Sequence, residues 1–192
     1  MGGTAVYKSI ATQRIGSQHK LHTVQIKRRI AKVAKPDPLG EKIARWYNEN
    51  SPFETETTFM HGNCTYRNIF VQERIVSILD FETCGRGSRY NDLARVCSDI
   101  IQCRTALTFP WRRAYSALSL LLEGYRGVYP YHVTHLHNYL ALYMFDRYIQ
   151  VYCIKKEKET ISGIPVARSR LRWLLERLLE GNTKAVFDNV RV

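Results

Sequence analysis

The second half of the chain is a succession of amphipathic patterns. Apolar residues recur there at spacings of three and four in four stretches, 92–103, 111–122, 131–154 and 165–179. This period predicts four helices, so everything after residue 91 is expected to be helical. Farther upstream the same spacing predicts a short helix over 39–47 and an amphipathic helix over 21–33, which Pro36 ends.

The middle of the chain follows a different pattern. Short apolar runs at 57–60, 68–71 and 75–79 predict extended segments, and the last two are close enough to form a β-hairpin. The stretch 83–90, with two glycines, is predicted to be a loop that leads into the next helix. This order of elements predicts an α+β domain that is mostly helical and contains one hairpin.

Composition favours one folded domain. The 192 residues are 45% hydrophobic and 24% charged, which is typical of a globular chain rather than a disordered one. No run of eighteen apolar residues predicts a membrane span, and no apolar signal region opens the chain. Five cysteines without a C-x-x-C pair favour reduced thiols, and we therefore expect a cytoplasmic protein.

The positive charge is concentrated at one end. The formal net charge is +12, and residues 1–35 contain eight lysines or arginines and no acidic residue. Such a segment is either a solvated basic face or an arm that binds an acidic partner or nucleic acid. We therefore divide the chain into a basic N-terminal segment, 1–38, and a main domain, 39–192.

One motif carries candidate chemistry. His61-Gly62-Asn63 is followed by Asn68, then by the predicted hairpin, and then by Asp80-Phe81. This spacing is typical of the catalytic loop and metal-binding segment of kinase-type phosphotransferases. The hairpin would hold its two flanking loops side by side, so that Asn68 and Asp80 can reach one magnesium ion. An amide oxygen and a carboxylate are both suitable ligands for that ion.

Residues 59–94 resemble the aminoglycoside phosphotransferase and choline kinase family, whose loops read H-G-D-x-x-x-x-N, I-D-F-[ED] and D-L-A. His61, Gly62, Asn68 and Asp80 match, and Asp92-Leu93-Ala94 matches the start of the following helix. The resemblance implies a protein-kinase-like C-terminal lobe that transfers the γ-phosphate of ATP to a small-molecule hydroxyl. ATP and Mg²⁺ are the cofactors that it implies.

The resemblance also implies roles for individual residues. Asn68 and Asp80 would bind magnesium and, through it, the nucleotide. His61 and Asp92 would support the loop, with Asp92 accepting hydrogen bonds from the loop backbone.

Two departures from the family pattern concern activity. Asn63 stands where the family has its catalytic aspartate, and an amide cannot take a proton from the substrate hydroxyl. General-base catalysis is typically worth about 10²- to 10⁴-fold, so we expect a degenerate or weakly active site in which Asn63 orients the substrate. Glu82 is the alternative base. Only 60 residues precede His61, so the family's N-terminal lobe is expected to be absent or truncated.

These departures leave three interpretations open. The chain is a weakly active phosphotransferase, or it is an inactive kinase-fold scaffold that binds partners through its basic arm. In the third interpretation, a separate polypeptide supplies the missing lobe. The sequence decides neither whether the chain is an enzyme nor which acceptor it would use.

Other chemically suggestive residues have simpler explanations. His132, His135 and His137 lack neighbouring carboxylates or cysteines and favour structural roles over a metal site. Cys64 lacks the partners of a nucleophile, and the aromatic residues of the later helices are expected to pack in the core. In the family, those later helices line the acceptor pocket. Residues 111–152 contain only Glu123 and Asp146 as acids, which disfavours a polycationic aminoglycoside as acceptor.

Overall fold

The computed structural model of the protein describes residues 37–49, 58–105, 111–149, 160–161, 164–165 and 168–181. Within these ranges it is mostly helical, and the α+β class predicted from the sequence agrees with it. Five α-helices are present in this part of the chain: α1 (Pro38–Glu49), α2 (Arg89–Thr105), α3 (Trp111–Val128), α4 (Val133–Tyr148) and α5 (Arg168–Leu179).

Three small antiparallel sheets accompany the helices, each of two strands. The strands are β1 (Thr58–Met60), β2 (Ile69–Gln72), β3 (Ile75–Ile78), β4 (Gly85–Gly87), β5 (Thr160–Ile161) and β6 (Ile164–Pro165). The sheets pair β2 with β3, β1 with β4, and β5 with β6.

Helix α4 forms the centre of the core. Its sequence is apolar on nearly every side, and residues 139–145 are all buried, as expected of a helix enclosed by its neighbours. Around it pack α2, α5 and α1. The leucines of α5 form one apolar stripe, Leu171, Leu174, Leu175 and Leu178, and each is at most 1% exposed. From α1, the ring of Trp46 meets that of Phe145 edge-on at 4.9 Å.

Helix α1 is capped by Asp37 and begins at Pro38, one residue before its predicted start. Asp37 precedes Pro38, and the backbone N–H of Leu39 donates to Asp37 Oδ1 at 3.0 Å. This is the geometry of a helix N-cap, with proline at the first helical position, where no backbone donor is needed. The other carboxylate oxygen of Asp37 accepts a hydrogen bond from the Tyr148 hydroxyl at 2.7 Å. The start of α1 is thereby attached to the end of α4.

Two predictions about local structure were wrong. The predicted loop 83–90 contains strand β4, which pairs with β1 so that Met60 lies opposite Gly85. A three-residue strand of glycines and arginine has no pattern of its own, and only its distant partner makes it a strand. The helix predicted over 165–179 begins only at Arg168, as α5, and Pro165 lies in β6. The tail is therefore not entirely helical.

Several expectations concern residues without a described structure. The predicted helix 21–33 and residues 1–36 of the basic segment lie outside the described residues, as does the end of the helix predicted to reach residue 154. In the described ranges, no helix is long and apolar enough to span a membrane. Four cysteines in those ranges are free thiols: Cys64, Cys84, Cys97 and Cys103.

Candidate functional site

The loop at His61 is attached to the first turn of α2. Asp92 accepts hydrogen bonds from two consecutive backbone N–H groups of the loop, His61 to Oδ2 at 2.5 Å and Gly62 to Oδ1 at 2.9 Å. Burial raises the pKa of the Asp92 carboxyl, and the hydrogen bonds from the loop oppose that rise. A single carboxylate, distant in sequence, therefore fixes where the loop begins.

Gly62 allows the loop to pass close to the segment after the hairpin. Its φ is +81°, and a Cβ built there would lie 2.3 Å from the backbone oxygen of Thr83. The Thr83 hydroxyl also donates to the backbone oxygen of His61 at 3.2 Å. Only glycine combines this backbone conformation with so close an approach.

The His61 ring connects the two sides of the site. Its Nε2 lies 2.8 Å from the backbone oxygen of Leu79, and its Nδ1 lies 3.3 Å from the backbone N–H of Asn63. With Nδ1 accepting the Asn63 N–H, Nε2 is the ring nitrogen that donates to the backbone oxygen of Leu79. The ring centroid also lies 4.6 Å from that of Phe81. His61 is buried, in contact with both the loop and the D-F segment.

Three predicted site residues meet at one carboxylate oxygen. The side-chain nitrogens Nδ2 of Asn63 and Asn68 donate to Asp80 Oδ2, at 3.2 and 3.3 Å respectively. Asn68 Nδ2 also donates to the backbone oxygen of Asn63 at 3.0 Å. The hairpin register brings them together, because Ile69 pairs with Ile78 and the Leu79 N–H donates to the Asn68 backbone oxygen at 2.9 Å.

Asp80 has an unusual backbone conformation. Its φ of +66° and ψ of +64° lie in the left-handed region. Non-glycine residues rarely adopt this conformation, and those that do are frequently found at functional sites. The residue is exposed, so its carboxylate is accessible to ligands in solvent.

The donor set at this point fits a magnesium ion. Asp80 offers a carboxylate, and Asn68 carries an amide oxygen, but Nδ2 of Asn68 is the atom that faces Asp80 and the Asn63 backbone oxygen, so the amide would have to rotate to ligate an ion. In the described ranges, no group of three or more His, Cys, Asp or Glu side chains could hold a metal ion. Magnesium is usually bound by one or two carboxylates and completes its coordination with water and substrate phosphates. Two protein ligands beside an open surface suit an ion that arrives with a phosphorylated substrate.

A polar cavity of about 320 Å³ adjoins Asn63 and Asn68. Its charged lining comes from the loop, from α2 and from α4, namely Arg67, Arg95, Asp99, Asp146 and Arg147. Of these, sequence reasoning singled out only Asp146. A signal was present, because Asp92, Arg95, Asp99 and Gln102 recur at spacings of three and four and therefore share one face of α2.

Asp99 is a second carboxylate that holds the loop. It is only 8% exposed, and its Oδ2 accepts the backbone N–H of Tyr66 at 3.2 Å. Burial raises its pKa, while Arg95, the Tyr66 hydrogen bond, Arg147 and Arg67 act in the opposite direction. The sequence pattern gave this residue no role.

Arg95 and Tyr143 form the wall of the cavity between α2 and α4. The Arg95 guanidinium carbon lies 5.2 Å from the centre of the Tyr143 ring. The Tyr143 hydroxyl donates to Asn91 Oδ1 at 2.8 Å. Tyr143, Tyr139 and Tyr148 are buried, as expected of packing residues, and Tyr143 also borders the cavity.

The remaining candidates have structural environments. Cys64 is buried, and burial with nearby Asp92 and Asp99 raises the pKa of its thiol to about 11, which keeps it protonated and unreactive. His137 is buried with Nε2 3.2 Å from the backbone oxygen of Leu178, and burial lowers its pKa. The rings of His132 and His135 lie 5.7 Å apart. Glu82 is exposed on the 3-10 turn Phe81–Thr83.

The comparisons with known proteins bear on the same region. A model of the phosphotransferase enzyme family matches residues 11–131, which include the loop, the hairpin and helices α1 to α3. No curated protein and no solved structure matches the chain.

Proposed function

The chain belongs to the phosphotransferase enzyme family, as its motifs predicted, and on this premise we propose that residues 39–192 form a kinase-like C-terminal lobe. Its site would transfer the γ-phosphate of ATP to a small-molecule hydroxyl, with low efficiency. One observation carries the proposal: the Asn63 and Asn68 amides lie within 3.3 Å of the same Asp80 oxygen. The loop and the end of the hairpin thus bring two amides and a carboxylate to one point, where the metal ion and the acceptor hydroxyl would meet in phosphoryl transfer.

In this proposal, each residue at the site has a separate task. Asp80 and, after rotation of its amide, Asn68 would hold magnesium, which would neutralise negative charge on the nucleotide phosphates. Asn63 hydrogen-bonds the acceptor hydroxyl and orients it, but cannot remove its proton. His61 and Asp92 touch no substrate. They hold the loop through the contacts with Leu79 and with the His61 and Gly62 backbone.

A scaffold without catalysis is the second candidate, and Asn63 is the observation that favours it. In this version the site keeps its fold, and the basic segment 1–35 binds an acidic partner or nucleic acid. Binding of RNA or DNA oligonucleotides should then weaken steeply with salt and disappear when residues 1–35 are deleted. Oligonucleotide binding that is absent, or insensitive to salt, would exclude the nucleic-acid version.

The test of the main proposal is thermal unfolding with and without Mg·ATP. A ligand at a hundred times its Kd stabilises the folded state by about 2.7 kcal/mol, so the melting temperature should rise only when both magnesium and ATP are present. Asp80→Ala should abolish the rise. Glu123→Ala removes an exposed carboxylate of α3 outside the site and should leave it unchanged. No rise with the unmodified protein would contradict the proposal.

Restoring the missing carboxylate tests the assignment of Asn63. Asn63→Asp should raise magnesium-dependent ATP turnover, at most by the roughly 10²- to 10⁴-fold typical of general-base catalysis. Turnover can be measured as ATP hydrolysis, which uses water as the acceptor. An Asn63→Asp protein that binds Mg·ATP but hydrolyses it no faster would remove Asn63 as the reason for weak activity.

A further inference from the structure

The cavity beside Asn63 contains more positive than negative charge. Three arginines line it, Arg67, Arg95 and Arg147, against two carboxylates, Asp99 and Asp146. This count does not depend on how the side chains pair with one another. The family aspartate would have balanced the charges, but Asn63 leaves the lining with one net positive charge.

Asp99 already has a structural role. Its side chain is nearly fully buried, and its Oδ2 accepts the Tyr66 backbone N–H. Arg95, Arg147 and Arg67 all act electrostatically on this one carboxylate. A negatively charged ligand in the cavity would be attracted by the same three arginines. A cationic ligand would be repelled by them at close range.

Arg95 is positioned to recognise an anionic group. It lies on the face of the buried Tyr143 ring, and Tyr143 is fixed in turn by its hydrogen bond to Asn91. A guanidinium group held in this way offers paired N–H donors that match the oxygens of carboxylates and phosphates. The cavity volume of about 320 Å³ is that of a small-molecule site.

We propose that this cavity binds an acceptor with an anionic group, a carboxylate or a phosphate, next to the hydroxyl that Asn63 orients. The inference rests on the proposed function, since it names the substrate class of the same site. It agrees with the scarcity of acidic residues in 111–152. An acceptor with several positive charges does not suit this lining.

The test uses four small molecules in calorimetric titrations at low salt, without nucleotide. Glycerol, glycerate and glycerol 3-phosphate differ only in the group at one end, while choline carries a positive charge. The anionic probes should bind at least about tenfold more tightly than glycerol and choline, as expected for charge-assisted hydrogen bonds. Whichever of glycerate and glycerol 3-phosphate binds more tightly identifies the anion.

Variants then locate the binding. Arg95→Gln should weaken binding of the preferred anion about tenfold. Arg113→Gln removes an exposed arginine of α3 that does not line the cavity and should have no effect. Asp146→Asn removes a carboxylate from the lining and should strengthen binding a few-fold, a change that damage to the fold would not produce. Far-UV circular dichroism checks that each variant is folded.

The failure of this inference is distinct from the failure of the proposed function. If Mg·ATP raises the melting temperature but glycerol or choline binds as tightly as the anions, the site is nucleotide-competent and the anionic acceptor is wrong. Anion binding that is unchanged by both Arg95→Gln and Asp146→Asn also overturns the inference, because the anion then binds elsewhere. Anion binding that requires Arg95 supports the inference, and Mg·ATP binding is read in a separate titration.

Discussion

The helical core and the loop–hairpin region are held together by different forces. In the core, α4 is buried on nearly all sides and the leucines of α5 are at most 1% exposed. Around the hairpin, by contrast, large apolar side chains face outward, with Val71 69%, Ile75 67% and Phe59 63% exposed. Hydrophobic burial stabilises the first region, whereas the second depends on polar contacts with a few carboxylates.

The interactions that stabilise the fold are therefore distinct from those that position the candidate site. Asp92 and Asp99 both lie on α2, a helix of the core, and both accept backbone N–H groups of the loop. The core therefore supplies a rigid platform, and a small number of hydrogen bonds position the site on it. Damage to the core should unfold the protein, while damage to the loop contacts should disable the site in a protein that stays folded.

The largest effect is expected in the core. Leu175→Ala, at a position that is 0% exposed, should lower the free energy of unfolding by about 2–5 kcal/mol through lost burial and a cavity. Urea denaturation followed by circular dichroism measures the change. Leu120→Ala is the matched control, since Leu120 is 69% exposed and its truncation should matter by less than about 0.5 kcal/mol. Equal losses would contradict the division between core and surface.

A smaller effect on stability, but a larger one on the site, is expected at Gly62. Gly62→Ala places a Cβ against the Thr83 carbonyl in a left-handed conformation and should cost about 1–3 kcal/mol. It should also abolish the Mg·ATP-dependent rise in melting temperature. In Gly124→Ala, where a Cβ meets nothing within 4 Å on α3, stability should rise by about 0.5–1 kcal/mol. A Gly62→Ala protein with normal nucleotide response would show that the loop tolerates displacement.

Asp92→Asn should lower the free energy of unfolding by less still. An amide has one acceptor oxygen, so one of the two loop N–H groups loses its partner, a loss of about 1 kcal/mol. The Mg·ATP response should weaken far more than stability does, because the loop is no longer held at both points. Glu123→Gln, the same chemical change at an exposed position of α3, should alter neither. Loss of global stability without loss of the nucleotide response would contradict our assignment of Asp92 as a residue that positions the loop.

The smallest effect is a pH dependence at Asp99. Burial raises its pKa above the ordinary value of 3.8, so between these two values the folded state binds more protons than the unfolded state. This contribution to the free energy of unfolding therefore decreases as pH rises from 3.8 through the folded pKa. Relative to Asp99→Asn, the unmodified protein should lose stability over that window. A difference in the free energy of unfolding between the two proteins that stays constant from pH 3.5 to 7 would contradict the raised pKa of Asp99.

Local patterns were sufficient for most elements. The apolar spacing predicted α1 to α5 and the hairpin because each is a local structure, with contacts that repeat every three or four residues or across a short turn. Strand β1 was predicted as an extended segment, but its pairing with β4 was missed, as was the pair β5–β6. The segments of β4, β5 and β6 are too polar, too rich in glycine or too brief to carry a period, and tertiary contacts decide their conformation.

The motif indicated part of the candidate site in the same way. His61, Asn63, Asn68 and Asp80 were proposed as site residues because they lie in one short stretch with a fixed spacing, and Asp92 was proposed through the family resemblance. The cavity was not found, because Arg67, Arg95 and Arg147 come from a loop and two helices that meet only in the folded chain. No local pattern records which helix faces turn toward the loop.

By itself, the sequence determined the family, the helices and the chemical identity of each group at the loop, including the amide of Asn63. The tertiary structure alone decided that the Asn63 and Asn68 amides and the Asp80 carboxylate converge, that Asp92 and Asp99 anchor the loop backbone, and that three arginines gather beside them. The physical reason is that spacing along the chain fixes local geometry. Charge balance in a cavity depends on side chains brought together by packing of the core.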